Sequence, residues 1–303
     1  MRIGFLSNQL DNRGTGNALY NYAHYNEELL GNESAIINIG IGPSDKEAFE
    51  RFVTRFGDIR SHLSPEDNFD AVYHIKSGYD DGIRMPHGIR YLVHAVFDYE
   101  PHGDVYATIS PWMGRRFNIP YVPHIVEIAQ TNEDYREFFN IPKEAVVFGR
   151  YGGRDSFDIP FVWEEIKRLT DNNKNIYFIF MNTEEPSLDL NDNVIFCEPT
   201  VDPIEKRRFI NTTDAMIHAR GRGETFGIAV GEFALAGKPI ITYTESPERA
   251  HLDQLGNFAL GYKDERTLRE QFQKVIDGPM IVWGYGQYTP ENVMQKFREV
   301  FLR

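Results

Sequence analysis

Short apolar runs alternate with helical stretches along almost the whole chain, and this alternation constrains the fold most. The run RIGFLSN (2–8) precedes the helical stretch ALYNYAHYNEELLG, which Gly31 closes, and the next strand is SAIINIGIG. After the amphipathic helix DKEAFERFVTRFG, strands are predicted at AVYHIK (71–76), RYLVHAVF (90–97) and VYATIS (105–110). Strands that alternate with helices indicate βαβ units and a parallel sheet.

The same pattern begins again at AVVFGRYGG (145–153). Predicted strands IYFIFMN, NVIFCE, AMIHAR and PIITYT then alternate with helices, and TPENVMQKFREVFLR is predicted as the last helix. A chain of 303 residues is also long for a single core. The sequence therefore predicts an α/β protein of two doubly wound, Rossmann-like domains facing a central cleft, with ligands at the carboxyl ends of the strands.

The expected domain bounds follow from this repetition. The first domain is expected to span residues 1–125 and the join residues 126–144. The second domain is expected to span 145–285, followed by a C-terminal helix, 286–303, that would pack back on the first domain.

Composition excludes several classes of protein. A net charge of -13 disfavours a duplex nucleic-acid binder, which needs clustered Lys and Arg. The single cysteine, Cys197, allows no internal disulfide and no cysteine zinc site. No apolar run reaches the ~20 residues of a membrane span, and the N-terminus shows no signal peptide, so no transmembrane segment and a cytoplasmic location are expected.

Two glycine-containing stretches follow predicted strands. Gly14-Thr15-Gly16 lies between the first strand and its helix, where glycine backbone and helix N–H groups can approach an anion. The dinucleotide fingerprint is absent because Leu19 occupies its third glycine position. A tight turn without a ligand is the alternative.

In FGRYGGRDSF, Arg150 and Arg154 flank Gly152 and Gly153 just after a strand. Two guanidiniums beside glycine N–H groups suit a diphosphate, because arginine offers paired donors. The alternative is a solvated loop with surface arginines.

The segment RGRGETFGIAVGEFALAGKPII (220–241) carries two acids, Glu224 and Glu232, among small and apolar residues. A helix is expected to begin at Thr225 or Phe226. Eight residues rotate about 800°, so the two acids would lie ~80° apart on one side of that helix, roughly 12 Å along its axis. They are interpreted as two acids that bind hydroxyls along an extended ligand, and the alternative is a capping acid plus a solvated acid.

This segment resembles the E-x7-E segment of retaining glycosyltransferases of the GT-B fold, family 4 in particular. Glu224, Phe226, Gly227 and Glu232 stand at family positions, as do Ala236-Gly237 and Pro239-Ile240-Ile241. The stretch PYVPHIVEIAQTNEDYREFFNIPKEAVVFGRYGG resembles the family's interdomain join, and YLVHAVF its strand that ends in an active-site histidine. Thr225 replaces a common glycine, and Arg154 would take the place of a common lysine.

The resemblance implies transfer of a sugar, with retention of configuration, from a UDP- or GDP-sugar to a glycan or other hydroxyl acceptor. It implies no metal, and no cofactor besides the donor as co-substrate. His94 and Glu224 would be the catalytic residues: Glu224 would hold the hydroxyls of the donor sugar, and His94 would approach the reacting sugar. Glu232 would hold the ribose. The other donor-binding residues implied are Gly14, Thr15, Gly16, Arg150, Arg154, Thr225, Phe226 and Gly227.

Two other functions remain open at this point. A nucleotide-sugar epimerase of the same fold would convert the donor without an acceptor. A non-catalytic protein would bind a sugar nucleotide or glycan without turnover, as the departures at Thr225 and Arg154 allow.

Overall fold

The structure is a computed structural model and describes residues 1–11, 13–40, 44–57 and 59–303. It divides into two compact units: Met1–Ile125 together with Tyr288–Arg303, and Val126–Gln287. The last two residues of the predicted strand SAIINIGIG lie outside the described residues.

Parallel strands and helices alternate in both units. The strands are β1 (Arg2–Ser7), β2 (Glu33–Asn38), β3 (Ala71–Lys76), β4 (Arg90–Ala95), β5 (Val105–Thr108), β6 (Val146–Tyr151), β7 (Ile176–Met181), β8 (Val194–Cys197), β9 (Ala215–His218), β10 (Gly223–Glu224), β11 (Ile240–Tyr243), β12 (Glu248–Arg249) and β13 (Ala259–Tyr262). The helices are α1 (Gly14–Glu28), α2 (Lys46–Phe56), α3 (Pro111–Phe117), α4 (Pro160–Asn172), α5 (Pro203–Thr212), α6 (Ile228–Leu235), α7 (Ala250–Leu255), α8 (Glu265–Ile276) and α9 (Pro290–Phe301), with 3-10 turns at Pro65–Asp67 and Gly256–Phe258.

The first unit contains a five-stranded parallel sheet of order β2-β1-β3-β4-β5. Its central strand β3 is buried along its whole length, as expected for a parallel sheet covered on both faces. The last helix, α9, belongs to this unit. Phe297 lies 5.4 Å from the ring of Tyr22 and 5.3 Å from that of Tyr73, and Phe301 lies 5.3 Å from the ring of His94.

The second unit contains a six-stranded parallel sheet of order β13-β11-β9-β6-β7-β8. This is the 3-2-1-4-5-6 arrangement of dinucleotide-binding folds, with the strand order reversing between β6 and β9. Aromatic side chains fill the core beside β6 and β7: Phe148 and Phe178 stack with ring centroids 5.0 Å apart, and Trp163 lies 4.9 Å from Phe180 in a tilted arrangement.

These sheets confirm the predicted class, an α/β protein with two doubly wound, Rossmann-like units. The predicted central cleft stays a prediction. In the described ranges, no helix is long and apolar enough to cross a bilayer.

Candidate functional site

The carboxyl ends of β6 and β9 are neighbours at the centre of the second sheet. β6 ends with Arg150 and Tyr151, and β9 ends with His218. From these strands the sheet grows in opposite directions, and in open α/β sheets ligands bind at such a reversal point. The residues predicted for this unit therefore follow its two central strands.

The Arg150 guanidinium is buried, with 3% of the residue exposed, and donates to the protein itself. Nη2 donates to Gly153 O at 2.7 Å and to Ser156 Oγ at 2.6 Å. Nη1 donates to Asn182 O at 3.3 Å and to Thr183 Oγ1. Burial lowers the pKa of Arg150 to about 10, which leaves it cationic at neutral pH. Arg150 thus ties the loop after β6 to the loop after β7, and this position does not support its predicted direct contact with a diphosphate.

Arg154 lies in the same loop but is exposed, and no ion pair found among the described residues includes it. The two preceding glycines shape this loop. A Cβ on Gly152 would lie 2.9 Å from Nη2 of Arg150, so a side chain there would press on the buried guanidinium. Of the two predicted arginines, Arg154 is the one whose charge faces solvent.

Glu224 does not lie on the helix that carries Glu232. It belongs to the short strand β10, which pairs with β12. Gly223 and Gly227 have φ angles of 79° and 87°, a left-handed region that favours glycine. The chain turns at both glycines, so α6 begins only at Ile228. The prediction that both acids share one side of a single helix is therefore wrong.

Two side chains hold the Glu224 carboxylate. His218 Nε2 lies 3.1 Å from Oε1, and Arg220 Nη1 donates to Oε2 at 2.7 Å. Burial raises the pKa of Glu224, but the His218 hydrogen bond and the Arg220 charge outweigh burial and bring the pKa to about 2. The side chain is 21% exposed, so an ionised glutamate that is partly accessible to solvent lies near the end of β9.

Glu232 lies on α6 and is 9% exposed. The Tyr151 hydroxyl donates to Oε2 at 2.6 Å, and Lys206 Nζ donates to Oε1 at 2.8 Å. Burial, with the Glu232 charge, raises the pKa of Tyr151 well above its usual value, so the phenol stays a donor. Glu232 thereby connects α6 with the end of β6 and with α5.

The residues that follow Glu224 support the turn from inside. Thr225 and Phe226 are 5% and 2% exposed. The Tyr285 hydroxyl donates to Phe226 O at 2.7 Å, and a Cβ on Gly227 would lie 3.2 Å from that hydroxyl. The buried side chains of Thr225 and Phe226 hold the segment in place.

In the first unit, Gly14, Thr15 and Gly16 form the first turn of α1, not a separate loop. A Cβ on Gly16 would lie 2.2 Å from Asp11 O, so glycine is required for this close approach. The buried Asp11 carboxylate accepts from Arg13 N at 3.1 Å at the same helix end, and burial raises the pKa of Asp11. An acid thus already lies where the sequence predicts an anionic ligand.

His94 is fully buried, with 0% of the residue exposed. Nε2 donates to Val122 O at 2.9 Å, and Thr108 O lies 3.2 Å away. Nδ1 accepts from the Tyr73 hydroxyl at 2.6 Å. Burial lowers the pKa of His94 to about 4, so the ring is neutral and both nitrogens are bonded. This position does not support the predicted approach of His94 to a sugar.

The structure adds three residues that the sequence analysis does not single out. Thr242 Oγ1 lies 2.9 Å from Nδ1 of His218 and 3.0 Å from Nε2 of His251. His218 in turn contacts Glu224. The three residues are distant in sequence, and no motif of the chain marks them as a set.

One group of potential metal ligands occurs in the described chain, formed by Asp80, Asp81 and His102. Arg84 donates to both oxygens of Asp80, at 2.8 and 2.9 Å. Lys76 Nζ lies 2.6 Å from Asp81 and 3.2 Å from His102 Nε2. Cationic side chains thus already bind all three residues.

No protein-family model matches the chain, and no curated protein sequence matches it. Several solved structures share its fold. A glycosyltransferase from Rickettsia africae superimposes with a TM-score of 0.68 at 12% identity, covering 99% of this chain and 93% of that chain. Anabaena Alr3699/HepE, solved in complex with UDP and glucose, gives a TM-score of 0.68 at 11% identity, covering 100% and 95%.

The UDP-GlcNAc 2-epimerase from Methanocaldococcus jannaschii is also similar, with a TM-score of 0.55 at 12% identity, covering 99% of this chain and 100% of that chain. At these identities the likeness shows the fold alone. It is a GT-B type fold, in agreement with the prediction from sequence.

Proposed function

We propose that the protein is a glycosyltransferase that moves a sugar from a nucleoside-diphosphate sugar to a hydroxyl acceptor. One observation carries the proposal. At the strand-order reversal of the second unit, the ionised Glu224, with a side chain that is 21% exposed, lies beside β9, while Glu232 is bonded to the end of β6. The similarity in fold to HepE, whose structure holds UDP and glucose, supports this choice.

Each acid has a proposed partner on the donor. Glu224 accepts hydrogen bonds from the hydroxyls of the sugar, and its charge stabilises the positive charge that develops at the reacting carbon. Glu232 accepts hydrogen bonds from the ribose hydroxyls. Its carboxylate then accepts from the ribose as well as from Tyr151 and Lys206. The exposed Arg154 binds the diphosphate, and Arg150 holds the loop that presents Arg154.

Retention of configuration and independence from metal belong to the same proposal. Both rest on the resemblance of the Glu224–Glu232 segment, and Arg154 would supply charge for the leaving diphosphate. We propose four further features as part of the same function: a UDP- or GDP-sugar as donor, a hexose as the transferred group, a glycan acceptor and a cytoplasmic location.

The test begins with binding. UDP-, GDP- and ADP-sugars are screened by thermal shift, since a ligand of the native state at 100 Kd stabilises it by about 2.7 kcal/mol. The sugar that stabilises the protein is then incubated with a panel of hydroxyl acceptors. Release of free nucleoside diphosphate coupled to a glycosylated product is expected, with the donor's anomeric configuration seen by NMR. Loss of turnover in EDTA, restored by Mg²⁺ or Mn²⁺, would contradict the metal-free mechanism.

Epimerisation is the second candidate, because the Methanocaldococcus jannaschii epimerase has the same fold. Incubation with the donor alone separates the two activities. An epimerase yields a new sugar nucleotide without an acceptor, whereas a transferase leaves the donor intact or hydrolyses it slowly. Binding without turnover across the whole panel would instead identify a sugar-nucleotide-binding protein.

A further inference from the structure

A buried chain of three polar side chains runs from the interior of the second unit to Glu224. His251 and Thr242 are 0% exposed and His218 is 5% exposed. The contacts are 3.0 Å from His251 Nε2 to Thr242 Oγ1, 2.9 Å from Thr242 Oγ1 to His218 Nδ1, and 3.1 Å from His218 Nε2 to Glu224 Oε1.

The number of hydrogens on these side chains limits which atom donates in each hydrogen bond. The Glu224 carboxylate only accepts, so His218 carries a hydrogen on Nε2. The Thr242 hydroxyl has a single hydrogen and lies between two ring nitrogens, so it donates to one ring and accepts from the other. Only two sets of hydrogen bonds are therefore possible: Thr242 donates either to His251 or to His218, and accepts from the other ring.

His251 Nδ1 decides between them. This atom is buried and has no hydrogen-bond partner among the residues that the structure describes. If Thr242 donated to His251, Nδ1 would be a buried N–H without an acceptor, and His218 would be a buried imidazolium. In the opposite arrangement, His251 Nε2–H donates to Thr242, Thr242 donates to His218 Nδ1, and Nδ1 of His251 is a bare lone pair. The second arrangement leaves no buried N–H without an acceptor, and it keeps His218 neutral.

We infer that Thr242 and His251 are positioning residues, which hold neutral His218 with its Nε2–H directed at Glu224. Both ring nitrogens of His218 are then bonded, so the ring cannot turn without breaking a buried contact. Arg220 fixes the other carboxylate oxygen, and together the two donors set where Glu224 meets a sugar hydroxyl. The effect on turnover rests on the proposed function, whereas the direction of the chain does not.

Nitrogen-15 NMR of the histidine rings in the wild-type protein tests the direction. His251 and His218 signals are assigned by their loss in His251→Gln and His218→Gln. We expect both rings to be neutral at pH 7 with the hydrogen on Nε2. A hydrogen on Nδ1 of His251, or an imidazolium at His218, would overturn the inference, and no catalytic activity is needed to see either.

Turnover of the donor tests the positioning role. Thr242→Val removes the hydroxyl at nearly constant volume, and Thr242→Ser keeps it. Thr213→Val is the matched control, because Thr213 is also fully buried in this unit but bonds Ile210 O instead. We expect kcat to fall by about 10- to 100-fold in Thr242→Val, to recover in Thr242→Ser and to change little in Thr213→Val. Binding of the free nucleoside diphosphate should be unchanged in all three.

Equal kcat in Thr242→Val and Thr213→Val would remove the positioning role. A wild-type protein without turnover on any donor would instead contradict the proposed function and leave the NMR result to decide the direction of the chain.

Discussion

Glu224 and Glu232 are both acids with two donors each, yet their surroundings differ at the level of single atoms. His218 and Arg220 hold Glu224, and its side chain is partly exposed to solvent. Glu232 is nearly buried beneath Tyr151 and Lys206. If Glu224 contacts the reacting sugar and Glu232 a distant ribose, as proposed above, the two acids should respond differently to loss of charge.

Glu224→Gln should lower kcat, because the charge beside the reacting carbon is needed most in the transition state. Binding of the sugar-free nucleoside diphosphate should be nearly unchanged. Glu232→Gln should raise KM for the donor and largely spare kcat, because a ribose contact is made about equally in the ground state and the transition state. It should also weaken binding of the free nucleoside diphosphate. Steady-state kinetics and calorimetric titration measure these effects.

The surface acid Glu270 on α8 offers a control, since Glu270→Gln changes a half-exposed carboxylate paired with Arg266. Identical kinetic patterns in Glu224→Gln and Glu232→Gln would show that the separate roles are wrong.

The two arginines of the β6 loop should separate stability from binding. Arg150→Ala removes the hydrogen bonds by which a buried guanidinium joins the loops after β6 and β7, so the free energy of unfolding should fall by about 1–3 kcal/mol. Arg154→Ala should change stability by no more than about 0.5 kcal/mol but weaken diphosphate binding by about 1.5–3 kcal/mol. Urea denaturation and calorimetry distinguish the two. Unchanged diphosphate affinity in Arg154→Ala would contradict its proposed role.

The sequence predicts which acids and arginines gather at the end of the second sheet, because glycines and strand ends mark those positions locally. It does not predict that Arg150 donates its hydrogen bonds to Ser156 and Thr183, because these contacts depend on how the loops after β6 and β7 approach each other. Nor does the sequence predict the hydrogen bonds of Thr242, because their partners lie on β9 and α7, and only the folded unit brings them together.

At the scale of elements, the β10–β12 pair determines where Glu224 lies. A Cβ on Gly223 would lie 2.0 Å from Glu248 O and 2.6 Å from Ser246 Cβ, and the φ angle of Gly223 is 79°. Backbone from β12 cannot give way as a flexible side chain could. Only glycine therefore allows the two short strands to pair.

Gly223→Ala should destabilise the protein and lower turnover by moving Glu224. Gly237 provides a matched control, because its φ of 74° is similar but an added Cβ would meet nothing within 4 Å. Gly237→Ala should cost about 1–2 kcal/mol for the left-handed backbone alone, and Gly223→Ala should cost clearly more. Equal losses in urea denaturation would show that the approach of β12 does not matter.

Most strands and long helices follow from apolar periodicity, which is strong in segments such as IYFIFMN and DERTLREQFQKVIDG. The elements without a prediction are short: α3, α7, β10, β12 and β13. Runs of two to seven residues show too little periodicity to identify. The sequence predicts a start of α6 at Thr225 or Phe226. The helix begins only at Ile228, because the positive φ of Gly227 is not a helical conformation.

At the scale of the whole molecule, buried neutral histidines link stability to pH. Burial lowers the pKa of His94 to about 4, and burial with neighbouring positive charge lowers the pKa of His74 and of His251 to about 3. An unfolded histidine titrates near 6.5. Below that pH the unfolded state binds more protons than the folded state, so stability is complete above about pH 6.5 and falls as the pH drops toward 4 and then 3.

The free energy of unfolding, measured in urea at pH 7.5, 6 and 5, should therefore decrease on acidification. His94→Gln should flatten this decrease, while His87→Gln changes an exposed histidine of the same unit and serves as the control. A stability that does not vary between pH 7.5 and 5 would contradict the prediction.

The first unit is assembled from two pieces of chain, with all of Val126–Gln287 between them. Phe297 and Phe301 of α9 complete the aromatic core around Tyr22, Tyr73 and His94. On the ribosome, that core stays incomplete until α9 has left the exit tunnel. The second unit is continuous, so we expect it to complete its fold before the first unit does. Although domains usually fold from the N-terminus during synthesis, we expect this chain to reverse the order, and a nascent chain arrested once Gln287 has left the exit tunnel should hold one folded unit and one that still lacks its last helix.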